Sequence, residues 1–422
     1  MKANRRQFIG GAGALAAAGT LAAPAIAQAK PRVVVIGGGP GGATVAKYVA
    51  RDAGGAIHVT LIEPLKEFVT CFHSNLYLGD FRPYDSITHG YSGLAKHGIT
   101  LVHEAAALIN PNTKTVRLTS GATLPFDRLV VAPGIDIKFD SVPGYSEKAS
   151  EIMPHAWKPG PQTQLLKKQL DALDDGATIV MVAPPNPYRC PPGPYERVSM
   201  MAHVLKKKGH TKSKIIIIDP KANFSKQGLF SEGWEKHYPG MVEWQDPKMH
   251  GGLKEVDPST MTVKTGLADY KAQLVNVIPA QMAGKIARDA GLANESGFCA
   301  IKPESMQSAK DPNIYVLGDA SIAGDMPKSA FSANSQAKVA AMMIRGELAK
   351  SQTFPARYSN TCWSLIETDD TVKVGGRYEP KDGKIAAVET FVSKTGEDAE
   401  LRKQNQAENM GWYQGISADI FS

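Results

Sequence analysis

The sequence predicts an α/β protein with two Rossmann-like, dinucleotide-binding-type domains, the first of them discontinuous, and a small C-terminal α+β interface domain. Three observations carry that expectation. The β-branched run Arg32-Val33-Val34-Val35-Ile36 enters a glycine turn and then a helical stretch. A second apolar run, Ala177–Val182, is again followed by a turn and a helical stretch. Past residue 351, two strand-like runs flank the turn Pro380-Lys381-Asp382-Gly383. At 422 residues the chain also exceeds what one hydrophobic core normally holds. The expected boundaries are 1–29 for a leader, 30–145 with 275–350 for the first nucleotide domain, 146–274 for the second, and 351–422 for the last.

The first element is the most informative. Gly37-Gly38-Gly39-Pro40-Gly41-Gly42 sits between a strand and a helix expected from about Ala43 to Asp52. Gly37 permits the tight turn, Gly39 lets a pyrophosphate approach the backbone, and Gly42 lets the helix lie close to the strand. The next strand, His58–Ile62, ends in Glu63. A carboxylate there accepts ribose hydroxyl hydrogen bonds and repels a 2′-phosphate. These residues alone do not separate FAD from NAD. The separation comes from Asn313-Ile314-Tyr315-Val316-Leu317-Gly318-Asp319, a strand ending in Gly318-Asp319, where a carboxylate is placed for the ribityl chain of a flavin. A long helix follows to about Leu348, and its free N–H groups and positive end suit the negative charge of a reduced flavin. Leu129–Gly134 adds a further strand ending at a glycine turn. Together these features resemble the flavoprotein disulfide reductase superfamily, with FAD as cofactor.

The second unit repeats the pattern and lacks its ligand chemistry. After the strand comes Ala183-Pro184-Pro185-Asn186-Pro187-Tyr188-Arg189-Cys190-Pro191-Pro192. Proline has no amide hydrogen and a fixed φ, so this turn cannot cradle a pyrophosphate. A helix at Arg197–Lys207 and a strand at Ile215–Ile218 ending in Asp219 complete a degenerate NAD-binding-like domain. NAD(P)H is therefore not expected as the electron source, and a small reductant must reach the flavin directly.

The leader and the charge bear on compartment and partners. Asn4-Arg5-Arg6-Gln7-Phe8-Ile9, a Gly/Ala-rich run and Ala27-Gln28-Ala29 form a signal that favours the twin-arginine route over ordinary secretion, and either implies export to the periplasm. Formal net charge is +7, and removing Lys2, Arg5 and Arg6 leaves +4. That mild, dispersed excess gives no footing for a nucleic-acid partner. No stretch reaches the ~20 apolar residues of a transmembrane helix, and no metal site is expected. The four cysteines are Cys71, Cys190, Cys299 and Cys362. An oxidising compartment permits disulfides, but spacing alone chooses no pairing. Cys190 and Cys362 either meet as a redox disulfide or are each buried or in a purely structural disulfide, and Cys299 reads as a small buried residue.

At the cysteines the resemblance narrows. Val69-Thr70-Cys71-Phe72-His73-Ser74-Asn75, the proline-framed Cys190, Gly318-Asp319 and Cys362-Trp363 resemble the flavoprotein subunits of flavocytochrome c sulfide dehydrogenases, cousins of sulfide:quinone oxidoreductases. The resemblance implies FAD joined to Cys71 as a thioether and a redox disulfide between Cys190 and Cys362. It implies oxidation of hydrogen sulfide to zero-valent sulfur or polysulfide, with electrons leaving for a c-type haem. No Cys-x-x-Cys-His motif is present, so haem c is expected only on a cytochrome subunit or a soluble cytochrome c. Glu196 is a candidate for moving a proton beside Cys190, while His73 is equally a packing or surface histidine.

Strands at Thr371–Tyr378 and Ala386–Val392, a charged helical segment around Glu397–Met410 and the aromatic pair Trp412-Tyr413 fill the last region. It lacks a sustained amphipathic pattern for a bilayer surface, which favours a protein acceptor. Sulfide:quinone oxidation and an accessory, non-turnover flavoprotein of a sulfur-oxidation system are the alternatives.

Overall fold

The computed structural model describes residues 29–422; the expected leader, Ala29 apart, lies outside them. Four strands open the first sheet: β1 (Arg32–Ile36), β2 (His58–Ile62), β3 (Thr100–Val102) and β4 (Arg128–Val131). Val33–Ile36 of β1 are buried, as expected for a parallel strand covered on both faces. Helix α1 (Pro40–Asp52) links β1 to β2, with proline in its first turn.

The chain then passes into the second unit through α2 (Pro161–Asp171), β5 (Thr178–Val182), α3 (Gly193–Lys207), β6 (Lys214–Ile218), α4 (Gln227–His237), β7 (Val242–Gln245) and β8 (Leu274–Val277). It returns to the first with β9 (Ile314–Val316) and the long helix α5 (Ala330–Ala349). Three antiparallel strands follow, β10 (Tyr358–Glu367), β11 (Asp370–Lys381) and β12 (Lys384–Val392), and then helix α6 (Ala399–Phe421).

The strand order is β9-β4-β1-β2-β3 in the first sheet and β7-β6-β5-β8 in the second. Both are parallel, with β1 flanked by β2 and β4, and β5 flanked by β6 and β8. Small residues let α1 and α5 lie close together: Ala43, Ala46 and Ala50 share a core with Ala337, Ala340 and Ala341. A second core runs through both units, joining Val34, Leu129 and Val131 to Ile179, Met181 and Ile217. Pro31–Ser422 therefore packs as one compact unit.

Two expectations change. The boundary at 274/275 would cut β8, which pairs with β5 from Ile179↔Leu274 to Val182↔Val277. The return to the first unit thus falls after Val277, where Gln281–Ala283 pairs with Ile135–Ile137. The last helix runs to Phe421 and takes in Trp412 and Tyr413. Its buried face includes Arg402, Asn405, Asn409, Tyr413, Ile416 and Ile420. Half of that face is polar, so no apolar stripe marks the helix in the sequence. No described helix is long and apolar enough to cross a membrane.

Candidate functional site

The site is two cavities with a common wall. The larger, of about 350 Å³, lies over the glycine turn and is lined by Gly37, Gly39, Glu63, Gly318 and Asp319 among others. The smaller, of about 80 Å³, is lined by Cys190, Cys362, Glu196, Arg197, Trp157 and Asn75 among others. Cys71, Arg189, Ser329 and Ala330 line both.

The larger cavity fits the nucleotide. A side chain at Gly42 would place Cβ 1.8 Å from the Gly37 carbonyl oxygen, and one at Gly37 would place it 2.2 Å from that of Ala132. Gly37 also adopts a φ of 99°, which favours glycine. The N-terminus of α1 carries no side-chain cap, leaving backbone donors for an anion. Glu63 is oriented by accepting from the backbone N–H groups of Gly38 (2.8 Å) and Leu65 (3.0 Å). Asp319 has a buried Oδ1 without a hydrogen-bond partner, as a carboxylate awaiting a ribityl hydroxyl would. Arg189 faces its other oxygen at 3.5 Å. These residues fit FAD.

Cys71 lies at the junction, between Thr70 and the short helix Ser74–Leu78. Helix α6 covers this segment. The Tyr413 hydroxyl lies 3.0 Å from Thr70 Oγ1, and Tyr413 stacks on His73 at 4.4 Å. His73 is buried, with Asn409 at 2.9 Å and Arg82 at 2.8 Å on its two ring nitrogens. Burial foremost, and Arg82, push its pKa down to about 3, so it packs as a neutral ring.

In the smaller cavity Cys190 precedes α3 in the left-handed region, with φ 57°. Its N–H donates to the Lys328 carbonyl at 2.9 Å. Gly193 leaves room for it, since a Cβ there would meet both Cys190 Sγ and Trp157 at 2.9 Å. Cys362 enters from β10, opposite Val374 in the hairpin. Both thiols are raised, chiefly by burial, and Cys190 well above its usual value. All four cysteines are unbridged, and Cys299 is buried and lines neither cavity.

Glu196, in the first turn of α3, accepts from Asn75 Nδ2 at 2.8 Å and from the Leu365 N–H at 3.0 Å. Burial raises its carboxyl. The structure thus brings Cys71, Cys190, Cys362 and Glu196 to one place. Sequence reasoning passed over Arg189, Arg197, Asn360 and Lys226. Arg189 adjoins Cys190 and was legible there; a lysine before an unremarkable helix and an asparagine in a strand carry no local signal.

At the matching position of the second unit the acidic residue is covered by side chains. Asp219, directly after β6 as Glu63 is after β2, is fully buried. It accepts from Tyr195 Oη at 2.6 Å, Trp244 Nε1 at 2.9 Å and the Lys221 N–H at 3.0 Å, and pairs with the Lys221 ammonium at 2.6 Å. Tyr195 stacks on Phe224 with centroids 3.6 Å apart.

Comparison with known proteins finds three family models along the chain. Residues 163–279 match the family model "Sulfide dehydrogenase [flavocytochrome c] flavoprotein chain, central", and 354–421 match "Flavocytochrome c sulphide dehydrogenase, flavin-binding". Residues 31–168 match "Pyridine nucleotide-disulphide oxidoreductase". The flavoprotein chain of a flavocytochrome c sulfide dehydrogenase from Chlorobaculum thiosulfatiphilum is 59% identical over 44 residues, which are 10% of this chain and 90% of that sequence. Mitochondrial sulfide:quinone oxidoreductase from Mus musculus is 21% identical over 68% of this chain, which spans 65% of that relative's length. The solved structure of the sulfide:quinone oxidoreductase from Aquifex aeolicus superposes with a TM-score of 0.71 at 18% identity, covering 92% of this chain and 91% of that one.

Proposed function

Because this chain belongs to the flavocytochrome c sulfide dehydrogenase flavoprotein family of sulfide-oxidising flavoproteins, we propose that it oxidises hydrogen sulfide at a Cys190–Cys362 disulfide and passes the electrons through FAD to a c-type cytochrome. One observation carries the proposal: Cys190 and Cys362 line a cavity of about 80 Å³ whose wall, at Cys71 and Arg189, is also a wall of the nucleotide cavity. That volume suits a small inorganic sulfur species.

FAD would be held by Gly37, Gly39, Gly42, Glu63, Gly318 and Asp319, with Cys71 as the thioether attachment. When bound it supplies a two-electron acceptor that discharges one electron at a time. The chain's own residues do the rest. Arg189 and Arg197 make the small cavity attractive to the hydrosulfide anion. HS⁻ attacks one sulfur of the disulfide, leaving a persulfide on that cysteine and a thiolate on the other. Glu196, with its carboxyl raised by burial, takes the proton carried in by sulfide. Re-forming the disulfide releases zero-valent sulfur and two electrons, so the balance is HS⁻ → S⁰ + H⁺ + 2e⁻. The haem belongs to a partner, since the chain has no Cys-x-x-Cys-His motif. The twin-arginine-type leader read from the sequence supports a periplasmic reaction.

The relatives named as sulfide:quinone oxidoreductases favour one other acceptor, a quinone. Anaerobic sulfide titration decides both questions. Stoichiometric bleaching of the flavin, followed by rapid reduction of added cytochrome c, is the expected result. An unbleached flavin would sink sulfide as the donor; bleaching reversed by a quinone analogue and not by cytochrome c would replace the acceptor. Acid-precipitated protein should stay yellow, and Cys71→Ser should make the flavin extractable.

A further inference from the structure

The two sulfurs of the small cavity have different surroundings. Cys362 Sγ lies 3.5 Å from the Asn360 side-chain amide nitrogen. That amide cannot easily turn round, because its Oδ1 accepts from Ser329 Oγ at 2.5 Å and Ser332 Oγ at 3.2 Å. Beneath Cys362 lies the ammonium of Lys226, the residue before α4. It donates to the Ser364 hydroxyl at 2.8 Å, and to the carbonyls of Cys362 at 3.3 Å and Val372 at 3.5 Å.

Among the described residues no carboxylate lies within 4 Å of the Lys226 ammonium. A buried ammonium without an anion is costly. Burial pulls it down to about 8, and the negative forms of Cys362, Glu196 and Cys190 act in the opposite sense. Cys190 lacks the counterpart of Asn360: no hydrogen-bond donor reaches its sulfur among the described residues. Burial, and the negative forms of Cys362, Glu196 and Cys71, disfavour its thiolate, while Lys226, Arg189 and Arg197 act in the opposite sense. The groups facing Cys362 from neighbouring elements are Glu196 on α3, Cys190 before it, Ser329 before α5, and Tyr378 on β11, with Lys226 as the cation among them.

We propose that the disulfide opens in a fixed direction: HS⁻ bonds to Cys190, and Cys362 leaves as the thiolate, with Lys226 as its countercharge and Asn360 as its hydrogen-bond donor. In disulfide exchange the sulfur whose thiolate is better stabilised departs faster. The incoming lone pair forms the new S–S bond on Cys190 Sγ. The Cys190–Cys362 bond breaks with its electron pair retained on Cys362 Sγ, and nothing is oxidised or reduced overall at this step. The inference rests on the disulfide reading above. Lys226 acts here as a positioning residue, through its charge.

The test is rapid-quench alkylation of the oxidised holoprotein after one equivalent of sulfide, with peptide mapping. Wild type should carry the persulfide on the Cys190 peptide and a plain alkylated thiol at Cys362. In fully reduced protein Cys362 should alkylate at lower pH than Cys190. Lys226→Met should raise the Cys362 alkylation midpoint by about one unit and slow disulfide opening near neutral pH by about tenfold. Lys226→Arg, which keeps the charge, should restore most of both, and the flavin spectrum and melting temperature report whether each variant is folded. A persulfide on the Cys362 peptide would overturn the direction. An unchanged alkylation profile in folded Lys226→Met would remove Lys226 from its role. Two free thiols in a non-reducing map of oxidised protein would overturn the disulfide itself, a failure distinct from either.

Discussion

The two Rossmann-like sheets start from the same plan and end in opposite states. In the first, the strand turn is Gly37–Gly42 and the acidic residue after the second strand, Glu63, lines a cavity of about 350 Å³. In the second, the turn holds Pro184 and Pro185, and the matching acidic residue, Asp219, is fully buried under Tyr195, Trp244 and Lys221. A binding site and a core can therefore be built on one topology. What separates them is whether backbone donors at the turn stay free and whether side chains fill the crevice. The second unit keeps its frame and supplies something else: Cys190, Glu196 and Arg197 all come from its turn and from α3. Its nucleotide crevice has been exchanged for half of a thiol site.

The largest expected effect comes from closing the open sheet. Gly42→Val sets a side chain against the Gly37 carbonyl, where Cβ alone would lie 1.8 Å away. Flavin content, read as the ratio of flavin to protein absorbance, should fall by about tenfold or more. Stoichiometric flavin in that variant would break the assignment of this turn to the cofactor.

Loosening the filled sheet should have a smaller consequence, and one for stability alone. Tyr195→Phe removes the hydroxyl that donates to buried Asp219 at 2.6 Å. It should cost about 1.5–3 kcal/mol in denaturant unfolding, as for a hydrogen bond to a charged group. NADH should bleach the flavin in neither protein. Bleaching of wild type by NADH would erase the distinction between the two sheets.

The smallest effect concerns the seam between the second unit and the cysteine hairpin. Glu367 on β10 accepts from His203 at 2.6 Å and lies 3.2 Å from Lys206, both on α3. Although burial acts against it, the His203 hydrogen bond and other donors hold its carboxyl well below the usual range. A depressed folded value means stability that is present above the unfolded carboxyl range and lost as pH falls. Glu367→Gln should therefore cost about 1–2 kcal/mol at pH 7, with the difference shrinking below about pH 4. A gap in melting temperature that stays constant down to pH 3 would show that the contact is held by shape rather than charge.

How much of this was legible in the sequence follows the range of each interaction. β1, α1, Glu63 and Gly318-Asp319 are local patterns, in which a few adjacent residues dictate both conformation and chemistry. The proline-filled turn after β5 is equally local, and its shortage of amide donors is read directly from Pro184, Pro185 and Pro187. The filling of the crevice could not be, because Tyr195, Phe224 and Trp244 meet only in three dimensions, and each alone reads as an ordinary core aromatic. Cys190 and Cys362 were linked by resemblance rather than spacing, and Lys226 and Asn360 act on Cys362 through tertiary contacts. Helix α6 eluded its full length because its inner face begins with Arg402, Asn405 and Asn409, whose burial depends on partners elsewhere: Arg402 on Asp370, Asn405 on the Thr371 carbonyl, and Asn409 on His73.

That helix also sets an order of assembly. Tyr413 and Asn409 seal the Thr70–His73 segment from positions as much as 343 residues later in the chain. While a nascent chain is still being synthesised, the glycine turn and Cys71 already exist and nothing yet closes over them. The arrival of α6 then closes the Thr70–His73 segment and completes the wall of the small cavity with Asn409 and Trp412.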